Sequence, residues 1–182
     1  MGNENMRFGF WPNPRSDYES TKILAQHAEA TGWDGIWLAD HFLPEEDALI
    51  PVHESWITMA ALARDVPRVR LGTLVAGNTY RHPAVLANMV STLDNLADGR
   101  VVLGLGAGWQ QNEHDAYGIE YGTVGSRLDR LEEACQVIKG LFHTDHFSFS
   151  GQHYQLKNAP LEPKPLQAKI PLMIGGGVKN VL

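Results

Sequence analysis

The feature that most constrains the fold is a strand that runs into regularly spaced glycines, Val101-Val102-Leu103-Gly104-Leu105-Gly106-Ala107-Gly108-Trp109. Its first residues are apolar on both faces, which is typical of a strand buried in a parallel sheet. Because side chains alternate along a strand, the glycines at 104, 106 and 108 fall on one face. A face without side chains admits a flat ligand or an anion, but it also admits a closely packed neighbouring strand. This segment alone leaves both interpretations open.

The spacing of these glycines excludes the Rossmann dinucleotide fingerprint. That fingerprint places glycines at i, i+2 and i+5, where a helix opens. Position i+5 from Gly104 is Trp109, and the polar run Trp109–Ala116 lacks helical periodicity. A Rossmann-type site is therefore not expected.

Patterns typical of strands and helices alternate along the chain. Besides the glycine strand, the predicted strands are Arg7–Trp11, Gly35–Ala39, Val69–Val75 and Lys169–Ile174. The predicted helices are Tyr18–Thr31, Glu54–Asp65, Pro83–Leu96 and one with Ser126 as its N-cap. In the first of these helices, one apolar stripe is predicted to comprise Ile23, Leu24, His27 and Ala28. We assign residues 1–182 to a single domain, in which residues 143–168 form a hairpin or loop insertion.

This alternation predicts an α/β fold of parallel strands joined by right-handed crossovers. An open doubly wound sheet and a (β/α)-barrel both fit, and both bind ligands at the carboxyl ends of their strands. The unusual residues of this chain concentrate at those ends, in Asp40-His41, 75–82, Gly106–His114 and Gly175–Gly177. Their clustering predicts a small-molecule site and favours the ligand interpretation of the glycine strand.

Charge and composition argue against several partners. The 182-residue chain carries a formal net charge of −6 and has no basic run, so neither nucleic acid nor an anionic membrane surface is an expected partner. Cys135 is the only cysteine, which excludes a disulfide within the chain and favours a reducing compartment. The N-terminus lacks the apolar segment of a signal peptide, and no apolar run approaches the roughly 18 residues of a membrane span. We therefore expect a cytoplasmic protein.

Three histidines near the hairpin insertion, His143, His146 and His153, raise the question of a metal site. No cysteine accompanies them, and their place beside a surface hairpin is more typical of solvated side chains than of metal ligands. We predict no metal site.

Several segments at and around the strand ends carry a resemblance to a known family. They are Gly32–Phe42, Leu71–Pro83, Leu93–Arg100, Gly104–Trp109, Asn112–His114, Tyr117-Gly118, Arg127–Glu133 and Ile174–Gly177. Taken together and in order, they resemble the bacterial luciferase-like monooxygenase superfamily, and in particular its branch that uses the deazaflavin coenzyme F420. No segment is specific by itself, but the likeness covers nearly the whole chain from Phe8 onward.

The resemblance implies an α/β fold of the (β/α)8 TIM-barrel type, of which only about the first five β/α units are present. A complete barrel needs eight strands and typically roughly 250 residues. A partial barrel would leave a sheet edge and an apolar face uncovered. We therefore expect a truncated barrel, or a chain that another copy completes in a homo-oligomer.

The resemblance also implies which residues hold a flat cofactor and act on a substrate. His41 would accept a substrate proton as hydride leaves for the ring, and Asp40 would orient His41 or hydrogen-bond the cofactor. A cis peptide bond between Leu74 and Val75 would back the ring. The remaining residues implied to bind the cofactor, including the phosphate of its tail, are Gly106, Ala107, Gly108, Trp109, Gly175, Gly176 and Gly177.

One position departs from the family pattern. The deazaflavin-dependent sugar-phosphate dehydrogenases carry a glutamate directly after the glycine that matches Gly108, where this chain has Trp109. This departure weakens a sugar-phosphate dehydrogenase interpretation and leaves the substrate open. Glu113 and His114, farther along the same segment, either face the pocket or are solvated.

Three functions are compatible with these residues. The first is hydride transfer between coenzyme F420 and an unidentified small organic substrate. The second uses FMN instead, in a two-component monooxygenase of the same superfamily. The third is a catalytically inactive truncated barrel that serves as a structural or binding fragment.

Overall fold

The computed structural model describes residues 6–45 and 49–176, so Gly177 lies outside the described residues. Its helices are α1 (Tyr18–Ala30), α2 (Ser55–Asp65), α3 (Pro83–Leu96), α4 (Gln111–Tyr117) and α5 (Val124–His143). Its strands are β1 (Gly9–Phe10), β2 (Gly35–Leu38), β3 (Arg70–Thr73), β4 (Ala76–Gly77), β5 (Val101–Gly106), β6 (His146–Ser150), β7 (Gln155–Pro160) and β8 (Leu172–Gly175). No helix in these described ranges is both long and apolar enough to cross a bilayer.

The parallel strands follow one another across the sheet in chain order, as β1, β2, β3, β5 and β8. A doubly wound sheet reverses its strand order at a switch point, whereas a (β/α)-barrel places successive strands side by side. The observed order therefore selects the barrel type over the doubly wound sheet. Between α5 and β8, the strands β6 and β7 form a separate antiparallel hairpin.

The core lies between these strands and the helices that connect them. All residues of β5 are buried, and the helices contact one another in the order α1, α2, α3 and α5. Leu71 and Leu103 from the strands and Leu62 and Leu86 from the helices are almost completely buried. Each such side chain stabilises the fold by about 1.5–3 kcal/mol relative to an exposed position.

The predicted strand Val69–Val75 is wrong at its carboxyl end, because β3 ends at Thr73 and a bulge at Leu74 and Val75 separates it from the two-residue β4. The peptide bond between Leu74 and Val75 in this bulge is cis, which confirms the prediction made for it. Both β3 and β4 pair with β5, so the chain rejoins the same neighbour after the bulge.

The glycines of β5 and β8 make room for this bulge. A Cβ atom at Gly104 would overlap the carbonyl oxygen of Thr73, and one at Gly106 would lie 2.8 Å from a methyl group of Val75. A Cβ atom at Gly175 in β8 would lie 2.6 Å from the same side chain. Close packing of β3 against β5 therefore explains Gly104. A ligand bound at the carboxyl ends of the strands would contact the bulge for which these glycines leave room.

The predicted apolar stripe of α1 is wrong in part. Ala28 is buried, together with Thr21 and Ala25, but Ile23 is 61% exposed and Leu24 is 43% exposed. The small side chains of Thr21, Ala25 and Ala28 let α1 lie close to the core. Helical spacing alone cannot show which of two adjacent stripes faces the sheet.

The edge predicted for a partial barrel is present in the described part of the chain. There β1 pairs only with β2, and β8 pairs only with β5. Exposed apolar side chains lie on the β1 side of the sheet, among them Phe8, Ile23, Leu24 and Trp33. Association with another copy over this face stays a prediction.

The structure contains one helix that the sequence does not predict, and the N-cap of another helix differs from the predicted one. The polar run after the glycine strand contains α4, whose buried side chains are Glu113 and His114 rather than apolar residues. Because polar contacts fix this helix, hydrophobic periodicity does not reveal it. The N-cap of α5 is Thr123, and Ser126 instead completes the reciprocal capping box with it.

Gly104→Ala is expected to lower the free energy of unfolding by about 1–3 kcal/mol, because the added methyl group overlaps the Thr73 carbonyl. Urea denaturation followed by circular dichroism measures the change. The matched control is Gly125→Ala in α5, where a Cβ atom would come no closer than 3.8 Å to a neighbouring atom. Equal stability of the two variants would contradict the close packing of β3 against β5.

Candidate active site

A cavity of about 520 Å³ lies at the carboxyl ends of the parallel strands. This volume is within the usual range of small-molecule sites. With the exception of Gly177, which lies outside the described residues, every site residue implied by the sequence lines this cavity: Asp40, His41, Leu74, Val75, Gly106, Ala107, Gly108, Trp109, Gly175 and Gly176. The strand ends therefore converge on one site, as expected.

Two parts of the lining of this cavity differ in chemistry. One part is largely backbone, because it is formed by the bulge and by the glycine-rich ends of β5 and β8. Another part of the lining is apolar, with Val124, Leu128 and Leu131 from α5. A flat aromatic ring with polar atoms at its edge suits such a lining, since its face can contact apolar side chains while its edge contacts backbone groups.

A second cavity of about 450 Å³ adjoins the first. Its wall includes Trp11 and Asn13 after β1 and Leu43 and Gln110 from two other loops. Three residues line both cavities, and they are His41, Leu74 and Trp109. These residues form a partition, and His41 therefore borders both cavities.

The imidazole of His41 is held from two directions. Its Nδ1 lies 2.9 Å from Oε2 of Glu113, and its ring meets Trp109 edge to face at 5.4 Å between centroids. The side chain remains 21% exposed. Among the described residues no group hydrogen-bonds to its Nε2, which is therefore available to a ligand.

Glu113 is a carboxylate without solvent contact, and its partners are donors. The backbone amides of Phe42 and Leu43 donate to Oε1, while the hydroxyl of Tyr80 and the imidazole of His41 lie at Oε2. Burial disfavours the charge, but these hydrogen bonds outweigh burial and lower the pKa of Glu113. Burial and the bond to Glu113 raise the pKa of Tyr80, so the phenol stays protonated and donates.

Asp40 is also buried, but its oxygens are used elsewhere. Arg81 donates to both oxygens at 2.6 and 2.9 Å, Ser55 donates at 3.0 Å, and the amide of Gly77 donates at 3.1 Å. Asp40 makes no hydrogen bond to His41 among the described residues. The group that orients His41 is Glu113.

Glu113 and His114 are neighbours in sequence but have different surroundings. His114 is buried, with Nδ1 at 2.8 Å from the carbonyl of Gln110 and Nε2 at 2.7 Å from the hydroxyl of Thr79. Both of its nitrogens are therefore engaged within the protein, and His114 lines neither cavity. The sequence does not reveal the pairing of Glu113 with His41, because α4 and the segment after β2 are distant in the chain and meet only in the fold.

The histidines near the hairpin are not part of the site. Within residues 6–45 and 49–176, no three histidine, cysteine, aspartate or glutamate side chains are grouped closely enough to hold a metal ion. His153 instead donates its backbone amide to Glu133.

Comparison with known proteins identifies relatives of this chain by sequence. The profile of the luciferase-like monooxygenase family matches residues 6–181. The F420-dependent glucose-6-phosphate dehydrogenase of Amycolatopsis mediterranei is 37% identical over 156 residues, which is 84% of this chain and 46% of that protein. The F420-dependent hydroxymycolic acid dehydrogenase of Mycobacterium tuberculosis is 34% identical over 148 residues, or 78% of this chain and 41% of that protein. The chain thus spans about half the length of the curated relatives it matches.

Solved structures of other proteins share this fold. An F420-dependent secondary alcohol dehydrogenase in complex with an F420-acetone adduct superposes with a TM-score of 0.85 at 28% identity, covering 93% of this chain and 52% of that one. The FMN-bound oxygenating constituent of a diketocamphane monooxygenase from Pseudomonas putida has a TM-score of 0.75 at 19% identity, covering 93% of this chain and 51% of that one, and shows the fold alone. The prediction of a partial barrel of this type is confirmed.

Arg81→Ala is expected to lower the free energy of unfolding by about 3–5 kcal/mol, because it leaves the buried carboxylate of Asp40 without its cationic partner. Chemical denaturation measures the loss. The control is Arg68→Ala, whose side chain is 71% exposed and lies 3.7 Å from Glu29, and it should cost no more than about 1 kcal/mol. A loss at Arg81 no greater than that at Arg68 would contradict the proposed importance of the buried pair.

Proposed function

The chain belongs to the luciferase-like monooxygenase family, and from this premise we propose that it is an oxidoreductase which transfers hydride between coenzyme F420 and a small organic substrate. The observation that carries the proposal is the place of His41, on the partition between two cavities and with Nε2 unengaged by the described residues. One cavity would hold the cofactor and the other the substrate, with a proton acceptor at their boundary.

The names of the relatives support the choice of cofactor. Two curated relatives, at 37% and 34% identity, are F420-dependent dehydrogenases, and so is the solved alcohol dehydrogenase at 28% identity. The FMN-bound structure is more distant, at 19% identity. Because the chain spans about half of these relatives, their activity is carried over here as a proposal.

The larger cavity is where the cofactor would bind. Leu74 and Val75 would back its ring, while the glycines at 106 and 108 and those at 175 and 176 would contact its edge and tail. Bound F420 would supply the ring carbon that accepts or returns hydride. The protein would contribute orientation, exclusion of water and a place for the proton.

The smaller cavity is where the substrate would bind. It reaches from the partition of His41, Leu74 and Trp109 to Trp11 and Asn13 beyond β1. A proton acceptor at its wall suits a substrate with a hydroxyl group, whose proton His41 would take as the adjacent carbon is oxidised. The reverse reaction would reduce a carbonyl group.

Trp109 bears on which substrates fit. The indole lies against His41 and is 58% exposed, so this part of the partition is apolar where a carboxylic acid would be polar. This favours a small, weakly polar alcohol or ketone over a sugar phosphate. The proposed substrate class would therefore differ from the one in the name of the Amycolatopsis relative.

Titration with each cofactor tests the proposal directly. Quenching of tryptophan fluorescence should show saturable binding of F420 to the chain, with weaker binding of FMN. Tight binding of FMN without binding of F420 would replace the proposal with the flavin monooxygenase. Binding of neither cofactor would leave the inactive structural fragment as the better description of this chain.

His41→Ala should lower kcat by about 10²-fold or more, since general-base catalysis typically contributes this much. The binding of F420, followed by the same fluorescence quenching, should change little. Oxidation of small secondary alcohols, followed by loss of F420 absorbance, measures the rate. The control is His27→Ala on the exposed surface of α1, and an equal effect of both substitutions would remove His41 from the reaction.

A further inference from the structure

We infer that Glu113 is a positioning residue, which sets the imidazole of His41 so that Nδ1 carries a proton and Nε2 is left free to accept one from the substrate. The inference rests on the proposed function for the identity of the reaction. The state of the imidazole, however, can be measured without turnover.

The donors around Glu113 determine the state of His41. The carboxylate accepts hydrogen bonds from Tyr80 and from the amides of Phe42 and Leu43, and it has no contact with solvent. An ionised carboxylate can only accept hydrogen bonds. The nitrogen that lies 2.9 Å from its Oε2 must therefore donate, and this nitrogen is Nδ1 of His41.

A neutral imidazole has one protonated nitrogen and one acceptor. With the proton on Nδ1, the lone pair is on Nε2, the nitrogen that no described residue engages. Trp109 packs edge to face against the ring, so the ring is held on a second side as well. The geometry thus presents an acceptor of defined position to the space between the two cavities.

Oxidation of the substrate alcohol would release one proton and one hydride. The substrate O–H bond breaks and its proton passes to Nε2, while the electron pair of that bond forms the C=O bond. The adjacent C–H bond would break, and bound oxidised F420 would accept the hydride with its electron pair. The imidazolium that results has its charge beside the carboxylate of Glu113, which stabilises it without taking the proton.

The position of Glu113 in the fold makes this arrangement stiff. Glu113 lies on α4 after the glycine strand, whereas His41, Phe42 and Leu43 follow β2. One carboxylate therefore holds the histidine and the backbone next to it. Asp40, although adjacent to His41 in the chain, cannot take over this role because Arg81, Ser55 and Gly77 occupy its oxygens.

Nitrogen-15 NMR of the chain labelled at histidine tests the inference. Two-bond proton–nitrogen correlations distinguish the two neutral imidazole forms, and the signals of His41 are assigned by their loss in His41→Ala. At a pH where His41 is neutral, we expect the form with the proton on Nδ1. A wild-type His41 that carries its proton on Nε2 would overturn the inference without any further variant.

Glu113→Gln is the decisive substitution. The amide oxygen can still accept from the two backbone amides, which places the amide nitrogen, a donor, toward His41. The imidazole should then carry its proton on Nε2, which removes the acceptor. We expect kcat to fall by about 10²-fold or more while KM changes by no more than about twofold.

Two further variants separate positioning from loss of structure. Glu113→Asp keeps the negative charge, so it should keep the proton on Nδ1 and retain more activity than Glu113→Gln. Glu120→Gln makes the same chemical change at a side chain that is 82% exposed, and it should alter neither the spectrum nor kcat. If Glu113→Gln does not fold, the wild-type and Glu113→Asp spectra still decide.

The outcomes also distinguish this inference from the proposed function. An unchanged imidazole form in folded Glu113→Gln would overturn the positioning role, whatever the rate. A switch of that form, in a chain that neither binds nor turns over F420, would uphold the positioning role and contradict the proposed function.

Discussion

The rest of the structure depends on how one buried carboxylate, that of Asp40, is neutralised. A charge removed from water costs several kcal/mol unless it is paired and hydrogen-bonded. Asp40 at the end of β2 is paired by Arg81 before α3, by Ser55 in α2 and by the amide of Gly77 in β4. These segments cannot separate without exposing an unpaired charge to the interior, so the carboxyl ends of the strands keep their relative positions.

The site divides its work between two carboxylates that look similar in isolation. Asp40 is adjacent to His41 in the chain but serves the scaffold, because its oxygens are already taken. Glu113 is distant in the chain but contacts His41 directly. Both groups are carboxylates, so their different roles arise from the hydrogen-bond donors that surround each one. The contacts of Asp40 with Arg81, Ser55 and Gly77 therefore hold segments at the strand ends together, while Glu113 contacts the histidine that borders both cavities.

The sequence predicted the elements whose formation depends on apolar burial or on proline and glycine at their ends. The glycine strand, α3 and the alternation of strands and helices were predicted correctly, since each leaves a periodic or compositional signal. The helix α4 was missed, because Glu113 and His114 hold it through polar contacts. The face of α1 was assigned wrongly in part, since small residues such as Ala25 pack closest to the sheet.

By itself, the sequence determined the class of fold, the end of the sheet where the site lies and the residues that gather there. These follow from local patterns and from the rule that parallel strands bring their carboxyl ends together. The alternation of strands and helices left a doubly wound sheet and a barrel both open, and the resemblance implied the barrel. The tertiary structure confirmed the barrel type through the strand order, which is a relation between distant segments. Only the tertiary structure paired His41 with Glu113, since a hydrogen bond between residues 72 positions apart leaves no periodic signal in the sequence.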